Sequence, residues 1–253
     1  MCCNKSILFI GVGLALLIFA QSAVADDISP PSWRGQPGTT REQWEFTTDN
    51  ARNGVAPDNY FNPFGVPSLT MHPDVWPPAP DPYGFDWTNS FLGRQGVYSL
   101  SGSFDITIPN APIPNDTKKI WLQMTWYEQF PINIGDYMGN KGDSNPDYGP
   151  TGIYISSSTP PPLSTTATLI SDTLVQPPVH DPWSCEDNNW HQSVIELTMS
   201  LNPSVETIHV RAPIYVDEVV VDTICIPEPS ALILLCMGTL SLLAYVRRMR
   251  KSV

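Results

Sequence analysis

The stretch "YSLSGSFDITI", Tyr98 to Ile108, decides how this chain is read. Tyr98, Leu100, Phe104, Ile106 and Ile108 fall on one side of an extended backbone. Ser99, Ser101, Ser103, Asp105 and Thr107 fall on the other. That period of two is the mark of a β-strand with one buried and one wet face. Gly102 interrupts the apolar side, where a missing side chain signals a bulge or a close backbone approach. The pattern recurs downstream. From Ile120 to Gln129, Ile120, Leu122, Met124 and Trp126 form an apolar face, and Trp121, Gln123, Thr125 and Tyr127 a mixed aromatic and polar one. Further strands are expected over Gly152–Ser156, Thr166–Leu174, Ser193–Leu201 and Thr207–Ala212. The last, Tyr215–Ile224, is apolar on both faces, which predicts a central position.

No part of the body sustains a helical period, and paired prolines such as Pro30-Pro31, Pro77-Pro78 and Pro177-Pro178 interrupt it. Such short alternating runs, separated by Pro/Gly/Asn/Asp loops, predict an all-β two-sheet sandwich, jelly-roll-like, of about seven or eight strands. Residues 26–82 read as a loop-rich segment that wraps the sandwich. Its Trp33, Trp44 and Trp76 are expected to anchor it, because aromatic rings bury a large area each.

The two ends differ from the body. Residues 1–25 have the layout of a secretory signal peptide: Lys5, an apolar run from Ile7 to Ala20, and Ala23-Val24-Ala25 as the cleavage site. The expected exported body, residues 26–226, carries 8 Lys+Arg and 24 Asp+Glu, a net charge of 8 − 24 = −16. A basic stripe is the footprint of nucleic-acid binding, and this acidity argues against nucleic acid as a partner. Of five cysteines, Cys185 and Cys225 lie in the body. In an oxidising compartment one disulfide between them is the simple expectation.

Chemistry is sparsely signalled. His72, His180, His191 and His209 show no metal-protease spacing, and no GxSxG elbow is present. His209 alternates with Ile208 and Val210 and is expected to face water. Nucleophilic catalysis therefore finds little support in the sequence, and a secreted hydrolase is the least favoured reading. No cofactor is implied. The run "GDYMGNKGDSNPDYG" sets Asp136, Asp143 and Asp147 among glycines, oxygen ligands of the kind calcium takes, and Asp217 is a second such candidate. The same residues are also ordinary turn formers. The face of Trp121, Gln123, Thr125 and Tyr127 has the make-up of a sugar platform, rings to stack and amide or hydroxyl groups to bind hydroxyls. The competing reading packs that face beneath the N-terminal segment.

The chain closes on "IPEPSALILLCMGTLSLLAYVRRMRKSV". Ala231 to Val246 is a sixteen-residue run without charge, a helix of about 24 Å against a hydrocarbon core of about 30 Å. Flanking arginines snorkel to close the gap, so a single C-terminal transmembrane helix is expected. Arg247, Arg248, Arg250 and Lys251 orient its end to the cytoplasm. Residues 227–253 resemble the PEP-CTERM sorting segment of exported bacterial proteins, on Pro227-Glu228-Pro229-Ser230, the short apolar helix with Gly238, and the terminal "RRMRK". "PPSWRGQPGTTREQWEF", Pro30 to Phe46, and "VDEVVVDTICIPEPS" also resemble uncharacterised members of that group. The resemblance implies recognition of Pro227, Glu228 and Pro229 by an exosortase, a membrane processing enzyme. It implies anchorage in the inner membrane before processing, then release to the cell surface or to an exopolysaccharide matrix. The expectation is thus an exported structural or adhesive protein, with a carbohydrate-binding module as the alternative.

Overall fold

The computed structural model describes residues 27–72, 87–100, 103–110, 117–128, 132–145, 149–157, 165–175, 179–180, 187–200, 203–226 and 237–242. The side chains of 100, 103, 141–151, 157, 179–180 and 187–188 are not among those described. In chain order the strands are β1 (Thr39–Trp44), β2 (Asn59–Phe61), β3 (Ser68–His72), β4 (Trp87–Thr88) and β5 (Val97–Leu100). Next come β6 (Ser103–Pro109), β7 (Thr117–Glu128), β8 (Gly139–Asn145), β9 (Gly149–Ser157) and β10 (Thr165–Leu174). The series ends with β11 (Val179–His180), β12 (Asp187–Asn188), β13 (Trp190–Ser200), β14 (Val205–Arg211) and β15 (Ile214–Ile226).

They form two main antiparallel sheets. The larger runs β10-β13-β7-β15-β1-β2, with β5 pairing β15 and β4 pairing β5; the smaller runs β3-β6-β14-β9-β8. β11 and β12 make a separate two-stranded pair. The inward faces close on one core. Ile120, Leu122, Met124 and Trp126 of β7, Ile195 and Leu197 of β13, and Val219 and Val221 of β15 meet Phe104, Ile106, Ile208 and Val210 of the smaller sheet. β15 lies between β7 and β1, the central position its two-faced apolarity predicts.

Two expectations change. The run Tyr98–Ile108 is not one strand: β5 pairs β15 in the larger sheet, and β6 pairs β14 and β3 in the smaller. The chain changes sheet between the end of β5 at Leu100 and the start of β6 at Ser103. Tyr98, Phe104, Ile106 and Ile108 still share one core, because both halves face the gap between the sheets. The second difference concerns residues 26–82, read as a loop-rich segment that wraps the sandwich. They supply β1, β2 and β3, and β1 is hydrogen-bonded to the central β15 from Thr39↔Ile224 to Trp44↔Val219.

In β15 the register to β7 shifts between Val216 and Glu218. This bulge at Asp217 keeps Val216 and Val219 both in the core cluster. A second close fit lies in β9. Gly152 has φ +129°, and a Cβ there would sit 2.0 Å from the Gly139 carbonyl oxygen. Gly152→Ala is therefore expected to destabilise the fold by more than about 1 kcal/mol. Thermal unfolding by circular dichroism reads this as a fall of at least about 2 °C; an unchanged midpoint would contradict the β8–β9 geometry.

Candidate functional site

Three polar clusters stand out, one on the outer face of each sheet and one in the core.

On the outer face of the larger sheet, residues 27–34 form a strap. Arg34 Nε donates to Asp222 Oδ1 (2.6 Å) and Nη2 to Asp222 Oδ2 (2.5 Å). Its Nη2 also donates to Asp27 Oδ1 (2.9 Å), and Nη1 to Asp27 Oδ2. Asp222 is wholly buried. Burial raises its pKa, with the Arg34 hydrogen bond and charge acting the other way. At Asp27 burial also raises the pKa, but hydrogen bonds from Arg34 and Gln123 outweigh it and hold the carboxyl below its ordinary value. The strap covers the predicted sugar platform. Trp121 Nε1 donates to Ser29 O (2.8 Å), Ser29 N donates to Gln123 Oε1 (3.0 Å), and Gln123 Nε2 donates to Asp27 Oδ1 (2.9 Å). Gln123, Thr125 and Tyr127 are buried. Tyr127 belongs to a second aromatic cluster with Phe91, Trp190 and Tyr215. Trp190 Nε1 there donates to Leu92 O (3.1 Å). On this face the strap thus engages the hydrogen-bonding groups of Trp121 and Gln123, and Tyr127 packs in the aromatic cluster, while Trp121 itself stays half-buried.

Of the calcium candidates, Asp136 and Asp217 are among the described side chains. Asp136 is exposed in a short 3-10 turn, Ile134–Tyr137. Asp217 is buried in the β15 bulge and pairs with Arg94 Nη1 (3.1 Å). The Asp143 side chain and Asp147 lie outside the described residues, as do Cys185, Trp76, Pro227, Glu228 and Pro229. Cys225 is half-buried near the end of β15. Among the described residues no group of three His, Cys, Asp or Glu side chains is arranged to hold a metal.

The core cluster is ionic. Lys118 of β7, inward-facing and wholly buried, lies 2.5 Å from Glu206 Oε1 of β14 and donates to Asn110 Oδ1. Glu42 of β1, also wholly buried, accepts from Asn62 Nδ2 (3.1 Å). Burial pushes Glu42 up to about 8, against the opposing charge of Lys118, and the Glu206 charge adds to the rise. Burial likewise pushes Glu206 up to about 7, with Lys118 restraining it. Two carboxyls and one ammonium thus share a dry site.

The third cluster lies on the outer face of the smaller sheet, where β14 runs between β6 and β9. His209 is opposite Asp105 on β6 and Tyr154 on β9. His209 Nδ1 lies 2.8 Å from Asp105 Oδ1, and His209 Nε2 lies 2.7 Å from Ser156 Oγ. The Tyr154 ring stacks on the imidazole with centroids 4.8 Å apart. His72 Nε2 reaches Asp105 Oδ2 (3.2 Å), and Arg211 Nη2 reaches Asp105 Oδ1 (2.7 Å). Burial raises the Asp105 pKa, but hydrogen bonds from His209 and His72 and the charge of Arg211 hold it far below the usual carboxylate range. Sequence reading placed His209 toward water and missed its partners. Asp105, Ser156 and His209 are joined by cross-strand register, and no spacing along the chain signals that. No family model, curated protein or solved structure matches this chain.

Proposed function

We propose that the protein is an exported structural or adhesive component of the cell surface or extracellular matrix, delivered by a PEP-CTERM segment that an exosortase recognises. One observation carries the reading. β15, the central strand of the larger sheet, extends to Ile226, and the Pro227-Glu228-Pro229 motif begins at the next residue. A folded body joined to its sorting motif without a spacer is held close to the membrane before processing. Proline fixes φ and favours extended backbone before it, so a Pro-Glu-Pro sequence suits presentation to a membrane enzyme. Residues 237–242 are helical with Met237, Leu240 and Leu242 exposed, which supports an apolar helix that seeks lipid. Among the described residues no helix is long and apolar enough to cross a membrane; the span we propose takes in residues on both sides of 237–242. The repeated crossing between sheets, from β5 to β6 and from β13 through β14 to β15, supports the jelly-roll form.

Mass spectrometry of the surface-released protein tests the proposal. The expected product begins near Asp26 and ends between Pro227 and Ser230. Full-length protein persisting in the inner membrane of an exosortase-bearing host, with none released, would overturn it.

A further inference from the structure

The third cluster supports an activity that its flat position does not advertise. Serine is a poor nucleophile until a neighbouring base removes its proton, and that base must be oriented by a third group. Ser156 Oγ, His209 and Asp105 stand in that order, at 2.7 Å and 2.8 Å. The tautomer follows from the partners. Arg211 Nη2 approaches His209 Nδ1 at 3.3 Å, but the Asp105 carboxylate is nearer at 2.8 Å. An anionic oxygen at that distance is the stronger partner, so Nδ1 carries the hydrogen and donates to Asp105. Nε2 is then left with its lone pair toward the Ser156 hydroxyl. The Tyr154 stack fixes the ring plane, and Arg211 and His72 fix the carboxylate. Ser156 itself is exposed.

We propose that Ser156 is a nucleophile for carboxylic esters, with His209 as its base and Asp105 as the group that orients the base. In the acylation step Ser156 Oγ bonds to the ester carbonyl carbon while its proton passes to His209 Nε2. The carbonyl electron pair moves to oxygen and returns as the carbon–alkoxy bond breaks. The departing alcohol takes the proton from His209. Water repeats the sequence on the acyl-serine, so that ester and water give acid and alcohol. An exposed nucleophile on a sheet face suits esters carried on large or polymeric molecules. Arg211 shares the Asp105 charge, which weakens its pull on the His209 proton and predicts slow acylation.

The test uses the exported protein and two probes, a biotinylated fluorophosphonate and p-nitrophenyl acetate. Peptide mapping is expected to place the phosphonate on Ser156, and p-nitrophenyl acetate to release p-nitrophenolate above the buffer rate. Ser156→Ala is expected to abolish both with an unchanged thermal midpoint. His209→Gln is expected to slow labelling by about 10²-fold or more. Labelling that is absent, that persists in Ser156→Ala, or that proceeds at the wild-type rate in a folded His209→Gln protein would overturn the proposal.

Discussion

Replacing Lys118 by methionine is expected to destabilise the fold by about 3–5 kcal/mol at pH 8, the usual cost of removing one partner of a buried ion pair. The same change is expected to cost far less at pH 5. Lys118, Glu206 and Glu42 are all wholly buried at one end of the core. Without the ammonium, neither carboxyl is able to ionise there without an uncompensated charge. At pH 5 both carboxyls are below their raised pKa values of about 8 and about 7 and carry protons, so little is left for Lys118 to neutralise. The wild-type protein carries the same signature in milder form. Glu42 and Glu206 bind their protons more tightly in the fold than at the ordinary value of 4.5. The stability they contribute is therefore fully present below pH 4.5 and is lost as pH rises through 7 to 8. Asp27 and Asp105 work in the opposite sense. Both are lowered from 3.8, and their contribution is lost as pH falls below that value. The expected optimum lies near pH 4.5, where Asp27 and Asp105 are ionised and Glu42 and Glu206 still hold their protons, and stability falls on either side. Urea titrations across pH measure it, and Glu42→Gln should flatten the alkaline limb. A Lys118→Met loss equal at pH 5 and pH 8 would contradict the assignment.

Trp44→Ala is expected to cost about 3–5 kcal/mol, the range for emptying a buried aromatic site. Trp44 is 1% exposed, sits in the main core cluster and donates from Nε1 to Val55 O (3.1 Å). The loss corresponds to a fall in melting temperature on the order of 10 °C for a body of this size. Trp33, half-buried within the strap, is the control: Trp33→Ala is expected to cost less than half as much. The comparison separates a strand that belongs to the sheet from a loop that lies over it. Equal effects at the two positions would return the N-terminal segment to the status of a wrap.

The contrast between β1 and β15 shows what the sequence reveals of the fold. β15 was legible because valines fill both of its faces. β1, "TTREQW", sits beside it, yet carries polar residues on both sides. Inward, Thr40 bonds Thr223 across the pair (2.8 Å), and Glu42 joins the ionic cluster. Outward, Arg41 reaches Asp27 (3.2 Å) and Gln43 reaches Glu218 (3.3 Å). A strand whose side chains are satisfied by distant polar partners has no apolar period to read. The same reason hides the Ser156–His209–Asp105 relay. Its members are separated by 53 and 104 positions, and only the register of β6, β14 and β9 brings them together. Gly102 was legible as an interruption, but a bulge and a change of sheet leave the same mark in one dimension.

The position of β15 at the C-terminal end of the sandwich sequence has a mechanical consequence. Tension on the C-terminal end enters the body along the axis of its central strand. β15 pairs with β7 from Ile214 to Ile226, with one shift at Asp217, and with β1 from Thr39 to Trp44. A pull along that axis shears these ladders in parallel, so the hydrogen bonds resist together instead of opening one at a time from an edge. Any load attached at that end would hold the sandwich by the strand hardest to draw out.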